Sequence, residues 1–334
     1  MSDQKVRWGI ISTANIGMKQ VTPGIMASEH SVATAIASRS LDSAKAAAAE
    51  LGIEKAYGSY EEMLADPDID AVYNPLPNHL HVDLTLKAAA AGKHVLCEKP
   101  MAMDVADAER LRSISKDIIV AEAFMVRHHP QWHRALEIVK SGELGELRSI
   151  NVVFSYFNAD PNNVRNKADI GGGAILDIGC YAVTAGRYFF QGEPSRIVSL
   201  IDRDPNFHTD RTVSAVADFG NGQQLSFMVS TQMVGKQTVE ILGTKGRLEI
   251  MIPFNAPKNK ETAIIIDHGL NHDGSLTRRE ILPACDQYTL QAENFALAVL
   301  GKRPLDYDVE DAIKSMKILE ALVTSEKTNG WVNI

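Results

Sequence analysis

Two hydrophobic periods divide this chain. From residue 6 to about 124, short apolar runs alternate with helical stretches, and beyond that point long runs with two-residue alternation take over. Residues 6–11 read as a buried strand, 12–15 as a turn and 16–27 as a helix. A second β-rich run covers 32–37, and an alanine-rich helix over 43–51 stops at Gly52. A third strand is expected at 70–74, a helix at 79–91 ended by Gly92, a fourth strand at 94–96 and another at 118–122. Strands alternating with helices imply a parallel sheet covered on both faces.

In the second half a helix at 130–140 closes at Ser141-Gly142, and strands are expected at 147–157, 197–201, 212–219, 224–231, 237–242 and 246–250. Asn221-Gly222 is a hairpin signal between two of them. Helices at 288–300 and 309–329 close the chain. The expectation is an α/β protein: a doubly wound Rossmann domain over residues 1–123, then an α/β domain over 124–334 built on a large, mostly antiparallel open sheet. The last helices are free to pack back on the first domain.

Composition narrows the classes. A chain of 334 residues with 45% apolar side chains can fill two cores. The net charge of −8, with no basic stripe, argues against nucleic acid as a partner. Apolar runs are too short to span a bilayer, and Met1 to Gln4 carry no signal-peptide pattern. Cys97, Cys180 and Cys285 are an odd set that fits reduced thiols, and cysteine and histidine never group at zinc-ligand spacing. These features point to a cytoplasmic protein without a structural metal.

The chemistry gathers at strand ends. The turn Ser12, Thr13, Ala14, Asn15, Ile16 holds the place of a G-x-G-x-x-G loop but fills its first two glycine positions with Ser12 and Ala14 and retains only Gly17. Small side chains still let a pyrophosphate approach a helix amino terminus. After the second strand come Ser38, Arg39 and Ser40, where an NAD-specific domain places an acid; a guanidinium flanked by hydroxyls suits a 2′-phosphate, so NADP is favoured over NAD. The loop after the third strand contributes Asn74, Leu76, Asn78 and His81, its course fixed by Pro75 and Pro77. His79 reads as packing or capping instead. Glu98 and Lys99 end the fourth strand, in the crevice where such sheets hold ligands. Downstream, Asp177 and Tyr181 lie four apart and share a face if their segment is helical.

The order of these features, above all Ala91-Gly92-Lys93-His94-Val95-Leu96-Cys97-Glu98-Lys99-Pro100 and the Gly171-Gly172-Gly173 that precedes Asp177-x-Gly-x-Tyr181, resembles the glucose-fructose oxidoreductase, inositol dehydrogenase and rhizopine-catabolism (Gfo/Idh/MocA) family. The resemblance covers nearly the whole chain. It implies that Lys99 touches the nicotinamide ribose and substrate, and that the open sheet joins copies into a homo-oligomer, a dimer or a tetramer. Many members carry a histidine at the position of Tyr181. The tyrosine here, with Glu122-Ala123-Phe124-Met125-x-Arg127-x-His129-Pro130, is similar to the branch of glucose-fructose oxidoreductase, dimeric dihydrodiol dehydrogenase and NADP-dependent xylose dehydrogenase. In related sugar reductases an arginine matched by Arg165 contacts the cofactor, and Arg127 is carried over with it.

Oxidising an alcohol removes hydride from carbon and a proton from oxygen, so a base must sit at the hydroxyl. Lowering a phenol by ~2 to 3 units takes roughly 3 to 4 kcal/mol. One ammonium about 4 Å away supplies on the order of 4 kcal/mol at an effective dielectric near 20. The sequence reading is therefore an NADP-dependent oxidoreductase of a sugar or polyol, with Tyr181 moving the proton, Lys99 assisting, and Asp177 holding a substrate hydroxyl or orienting Lys99. The alternatives are a trans-dihydrodiol or inositol dehydrogenase, and a cofactor-sensing regulator without turnover. An aromatic pocket from Phe154, Tyr156 and Phe157 would suit a dihydrodiol; Asn158, Asp160 and Arg165 would suit a sugar.

Overall fold

The structure is a computed structural model and describes residues 4–269 and 273–334. Of the polar run Met1 to Gln4, all but Gln4 lie outside the described residues. The chain divides into two compact units, one of residues up to His128 with Asp286–Ile313, the other of His129–Cys285 with Lys314–Ile334.

In the first unit, β1 (Val6–Ile11), β2 (Ser31–Ala37), β3 (Lys55–Tyr57), β4 (Ala71–Asn74), β5 (His94–Glu98) and β6 (Val120–Ala123) form one sheet in the order β3-β2-β1-β4-β5-β6. Every pairing is parallel. The helices between them are α1 (Thr22–Ala27), α2 (Leu41–Leu51), α3 (Tyr60–Leu64), α4 (His81–Ala90) and α5 (Val105–Glu109). This is the doubly wound order whose direction reverses between β1 and β4, the place where such sheets open a ligand crevice. Strands buried on both faces read as near-continuous apolar runs, as β1 does apart from Arg7. β3 escaped the sequence reading because its three residues are all half-buried and carry no period.

In the second unit, α6 (Pro130–Lys140) starts on His129, whose Nδ1 accepts the Gln131 N–H at 3.1 Å, with proline at the first helical position. The sheet comprises β7 (Leu147–Phe157), β8 (Arg196–Arg203), β9 (Asp210–Gly220), β10 (Gln223–Ser230), β11 (Gln232–Gly243), β12 (Arg247–Ile250), β13 (Thr262–Asp267) and β14 (Arg278–Leu282), with β15 (Val332–Asn333) at its edge. The order is β14-β13-β12-β11-β7-β10-β9-β8-β15, antiparallel throughout except β7 with β10. Asn221 and Gly222 both take positive φ, as a two-residue hairpin demands. Period-two burial along β7 sends Ile150, Val152 and Phe154 into the core, on the side packed by α7 (Cys180–Phe190). The opposite face stays half-open: Val198, Val216, Ser226, Asn151, Glu240 and Glu249 make one continuous row across six strands.

Two helices close the chain. α8 (Gln287–Val299) joins the first unit, with the Phe295 ring 5.1 Å from that of Trp8. α9 (Val309–Thr328) follows it. Among the described residues no helix is long and apolar enough to cross a membrane.

Candidate active site

Four groups of the expected residues belong to the first unit. Ser12 follows β1 in a left-handed conformation, φ +66°, the geometry a glycine would supply, and its Oγ accepts the Ala14 N–H at 3.2 Å. Thr13 and Ala14 complete the turn, and helical geometry begins at Asn15 and Ile16. At the end of β2, Ser40 caps α2 by accepting the Ser43 N–H, and Ser38 accepts the Ser40 N–H. Between them Arg39 is exposed and, among the described residues, makes no hydrogen bond or ion pair; the Tyr60 phenol feels its charge. A cation left open at this strand end fits a 2′-phosphate.

The loop after β4 is held from inside. Asn74 is fully buried, accepts the Leu76 N–H at 3.3 Å and donates to the His81 carbonyl at 3.2 Å. His81 is also fully buried, with Nδ1 2.7 Å from the Pro100 oxygen and Nε2 2.6 Å from the Leu76 oxygen. Burial pushes its imidazole down to about 4, against the pull of both carbonyls. The direct cofactor contact expected of Asn74 and His81 does not suit side chains so deeply committed; they fix the loops on which Leu76, Asn78 and Lys99 ride.

Lys99 itself leaves the end of β5 on a clamped backbone. Glu98 Oε1 accepts the Tyr73 hydroxyl at 2.7 Å and its Oε2 accepts the Lys99 N–H at 3.3 Å. Glu122, on β6, accepts the Met101 N–H at 2.8 Å, and His81 holds the Pro100 carbonyl. Sequence reasoning missed Tyr288, in the first turn of α8: burial raises its phenol, Glu98 adds to the rise and Lys99 opposes it. No local pattern marks it. Arg127 is 4% exposed, pairs with Asp311 at 2.6 Å and lies over the Tyr307 ring at 4.0 Å. Burial drives the Cys97 thiol well up, which makes it inert.

In the second unit the helical stretch opens as a π-turn, Ile175–Gly179, before α7 begins at Cys180. Asp177 therefore lies on a wider turn than the even four-residue spacing assumed. Both of its oxygens are engaged: Oδ2 accepts the Tyr156 hydroxyl at 2.5 Å and Oδ1 meets Arg165 Nε at 3.0 Å. It anchors Arg165, whose charge it strengthens. The Tyr181 ring is buried edge-on against Phe154, centroids 5.6 Å apart, and near Phe254 at 5.3 Å. Of the proposed aromatic lining, Phe157 falls on the other face of β7 and is 71% exposed, because three steps from Phe154 reverse a strand's side. Asn158 Oδ1 and Asp160 Oδ1 each accept a turn amide, at 3.0 and 2.9 Å.

One cluster was hidden by sequence distance. Ligating atoms of Glu29, His30 and Glu293 lie within 4.8 Å of one another. Glu293 already accepts the Ser28 hydroxyl at 2.7 Å and the His30 N–H at 3.1 Å, so the group ties α8 to the turn before β2.

Comparison with known proteins bears on both sets of residues. Residues 6–118 match the model of an oxidoreductase family with an NAD-binding Rossmann fold, and 132–249 match the GFO/IDH/MocA C-terminal domain. The chain is 44% identical over 331 residues to an uncharacterized oxidoreductase, ORF334, of Rhizobium meliloti, covering 98% of this chain and 99% of that protein. It is 37% identical to D-xylose 1-dehydrogenase (NADP(+)) 2 of Haloferax volcanii, at 98% and 99% coverage. Among solved structures it resembles KijD10, a 3-ketoreductase from Actinomadura kijaniata in complex with NADP and TDP-benzene, with a TM-score of 0.89, 30% identity, and coverage of 96% and 98%.

Proposed function

Since the chain belongs to the Gfo/Idh/MocA family of oxidoreductases, we propose that it is an NADP-dependent enzyme transferring hydride between the nicotinamide and a sugar or related polyol, at an aldose C1 or a ring secondary alcohol. The observation that carries this reading is the threefold backbone clamp on Lys99 at the crevice end of a β3-β2-β1-β4-β5-β6 sheet. The open Arg39 supports NADP over NAD, and relatives with NADP in their names agree with it. Ser12 to Ile16 would face the pyrophosphate, with Ser38, Arg39 and Ser40 at the adenosine ribose.

NADP, when bound, supplies or accepts the hydride. Tyr181 takes the proton from the substrate oxygen or returns it, and the Lys99 ammonium favours the phenolate form. Arg165, held through Nε by Asp177, keeps its remaining N–H groups for the substrate or cofactor, and its charge feels the Tyr181 phenol. In this reading the first domain holds the dinucleotide, and the second holds the substrate and, through its half-open sheet face, a second copy of the chain.

The test is reduced-nicotinamide absorbance across aldoses, polyols and inositols, with NADP and NAD in parallel. NADP-coupled turnover of at least one sugar is expected; silence throughout would favour a sensing protein without turnover. Arg39→Asp should reverse the preference between the dinucleotides. The stacked Phe154 and Phe254 rings, centroids 4.6 Å apart beside Tyr181, favour aromatic trans-dihydrodiols as the second reading, so one belongs in the panel.

A further inference from the structure

The segment that carries Asp177 and Tyr181 has no cap of its own. Its N-cap position is Ala174, and no side chain of the turn accepts from the first amides. Those amides are orphan donors in every helix, and buried ones need an acceptor. Here the acceptor comes from 35 residues downstream. Asp210, the first residue of β9, is buried, and its Oδ2 accepts the Ile175 N–H at 2.5 Å.

The approach is possible only because of what flanks it. A Cβ on Gly173 would fall 2.1 Å from Asp210 Oδ1, and Gly173 has φ +119°. On the other side, a Cβ on Gly172 would fall 2.6 Å from the Arg165 carbonyl and 2.7 Å from that of Lys167. Gly172 and Gly173 instead donate to those two carbonyls, to Lys167 and Arg165 respectively, each at 2.9 Å. The glycine loop is thus threaded between a pair of backbone carbonyls and one carboxylate, and the next residues form the turn with Asp177 and the start of α7 with Tyr181.

We propose that Asp210 is the positioning residue of this site: by capping the Ile175 amide it fixes the rotation and height of the turn, and hence where Asp177 and Tyr181 are presented. The inference rests on the reading of Tyr181 as the proton-transfer group. A carboxylate at the start of a 16-residue helical stretch also meets the positive end of its dipole. The other charged groups that act on it are Arg203 on β8, which favours its ionised form, and Glu326 on α9, which disfavours it; these two pair with each other at 2.5 Å. Asp177, the acid of the turn itself, is taken by Tyr156 and Arg165. Burial dominates and lifts the Asp210 carboxyl to about 6. Opening of the turn hydrates Asp210 and restores its ordinary value, so opening should become harder, not easier, as the pH falls through 6.

Amide hydrogen exchange over residues 173–181 tests the cap without any substrate, in wild type, Asp210→Ala and Asp210→Asn. Asp210→Ala should speed exchange there about tenfold at pH 7.5, from the loss of one buried acceptor, while β7 is unchanged. Asp210→Asn keeps an acceptor oxygen and should restore protection. Wild type should exchange more slowly at pH 5 than at 7.5 after correction for intrinsic rates, and Asp210→Asn should lose that difference. Wild-type exchange in Asp210→Ala overturns the proposal. Should that variant not fold, a pH effect absent from wild type, or retained in Asp210→Asn, overturns it instead.

The kinetic arm uses D-xylose first, then whichever sugar of the panel wild type turns over. Asp210→Ala should lower kcat about tenfold with NADP affinity, read by cofactor fluorescence, within twofold of wild type. Faster exchange with an unchanged kcat would make Asp210 a local brace and end the positioning claim. If wild type turns over no sugar, it is the assignment of function that falls, while the exchange arm still decides whether Asp210 caps the turn.

Discussion

Lys99 and Tyr181 are fixed by different devices. Around Lys99 the protein grips main-chain atoms: the carbonyl of Pro100 by a histidine, the amides of Lys99 and Met101 by two glutamates. The gripping residues come from neighbouring strands and a helix of one parallel sheet. Around Tyr181 it grips a helix start and a ring, with one distant carboxylate on the Ile175 amide and phenylalanines against the phenol. A lysine is long and flexible, so its root must be rigid. A tyrosine has two side-chain torsions, so setting its backbone and walling its ring sets its hydroxyl.

The largest effects should come from the two groups proposed to react. Tyr181→Phe should depress kcat by about 10² or more while sparing NADP affinity, since it keeps the ring and removes only the proposed proton carrier. Lys99→Ala should lower kcat comparably and weaken NADP binding as well, because it also removes a group expected at the ribose. Equal binding losses in both would erase the distinction between cofactor side and proton side.

Next in size is Gly173→Ala. It adds a methyl where Asp210 sits, at positive φ, and should cost about 3 kcal/mol of stability, measured by urea unfolding. A loss below 1 kcal/mol would show that the carboxylate can withdraw.

Acid should also tell the units apart. His81 in the first and His129 in the second are both held down to about 4, against an ordinary 6.5. Each contributes stability that is complete above pH 6.5 and lost as the pH falls toward 4, about 3 kcal/mol by linkage. Asp210 runs the other way. Its folded value near 6 exceeds the ordinary 3.8, so the folded chain protonates first and falling pH returns a similar amount to the second unit alone. Exchange protection in β4 and β5 should therefore fall faster between pH 7 and 5 than in β7 and β10; parallel losses would refute the balance.

The smallest effect belongs to Ser12→Gly. It relieves a left-handed serine but removes the Oγ bond to Ala14, and the two nearly cancel, within about 0.5 kcal/mol in thermal unfolding.

What the sequence made legible follows the same divide. The stretch from Ala91 to Pro100 packs strand, turn and chemistry into consecutive residues, so both its place and its lysine could be read. The parallel sheet was legible from its apolar runs, and β7 and α6 to the residue. A helical segment carrying Asp177 and Tyr181 was legible, but the π-turn that opens it was not, since periodicity does not separate an α-turn from the wider π-turn over five residues. Asp210, Tyr288 and the commitment of Asn74 and His81 are facts of tertiary distance. Phe157 was misplaced by treating neighbours on a strand as neighbours on a face.

The slot around Gly172 and Gly173 bears on how such a protein can diverge. Its walls are peptide carbonyls, which no mutation can trim, and its far side is a single acid. Substitutions in the loop are therefore admissible only together with a changed path of residues 165–167 or a changed side chain at position 210. Separate stretches of the gene are bound into one heritable block, and an engineer rebuilding this half of the molecule would have to transplant all three together.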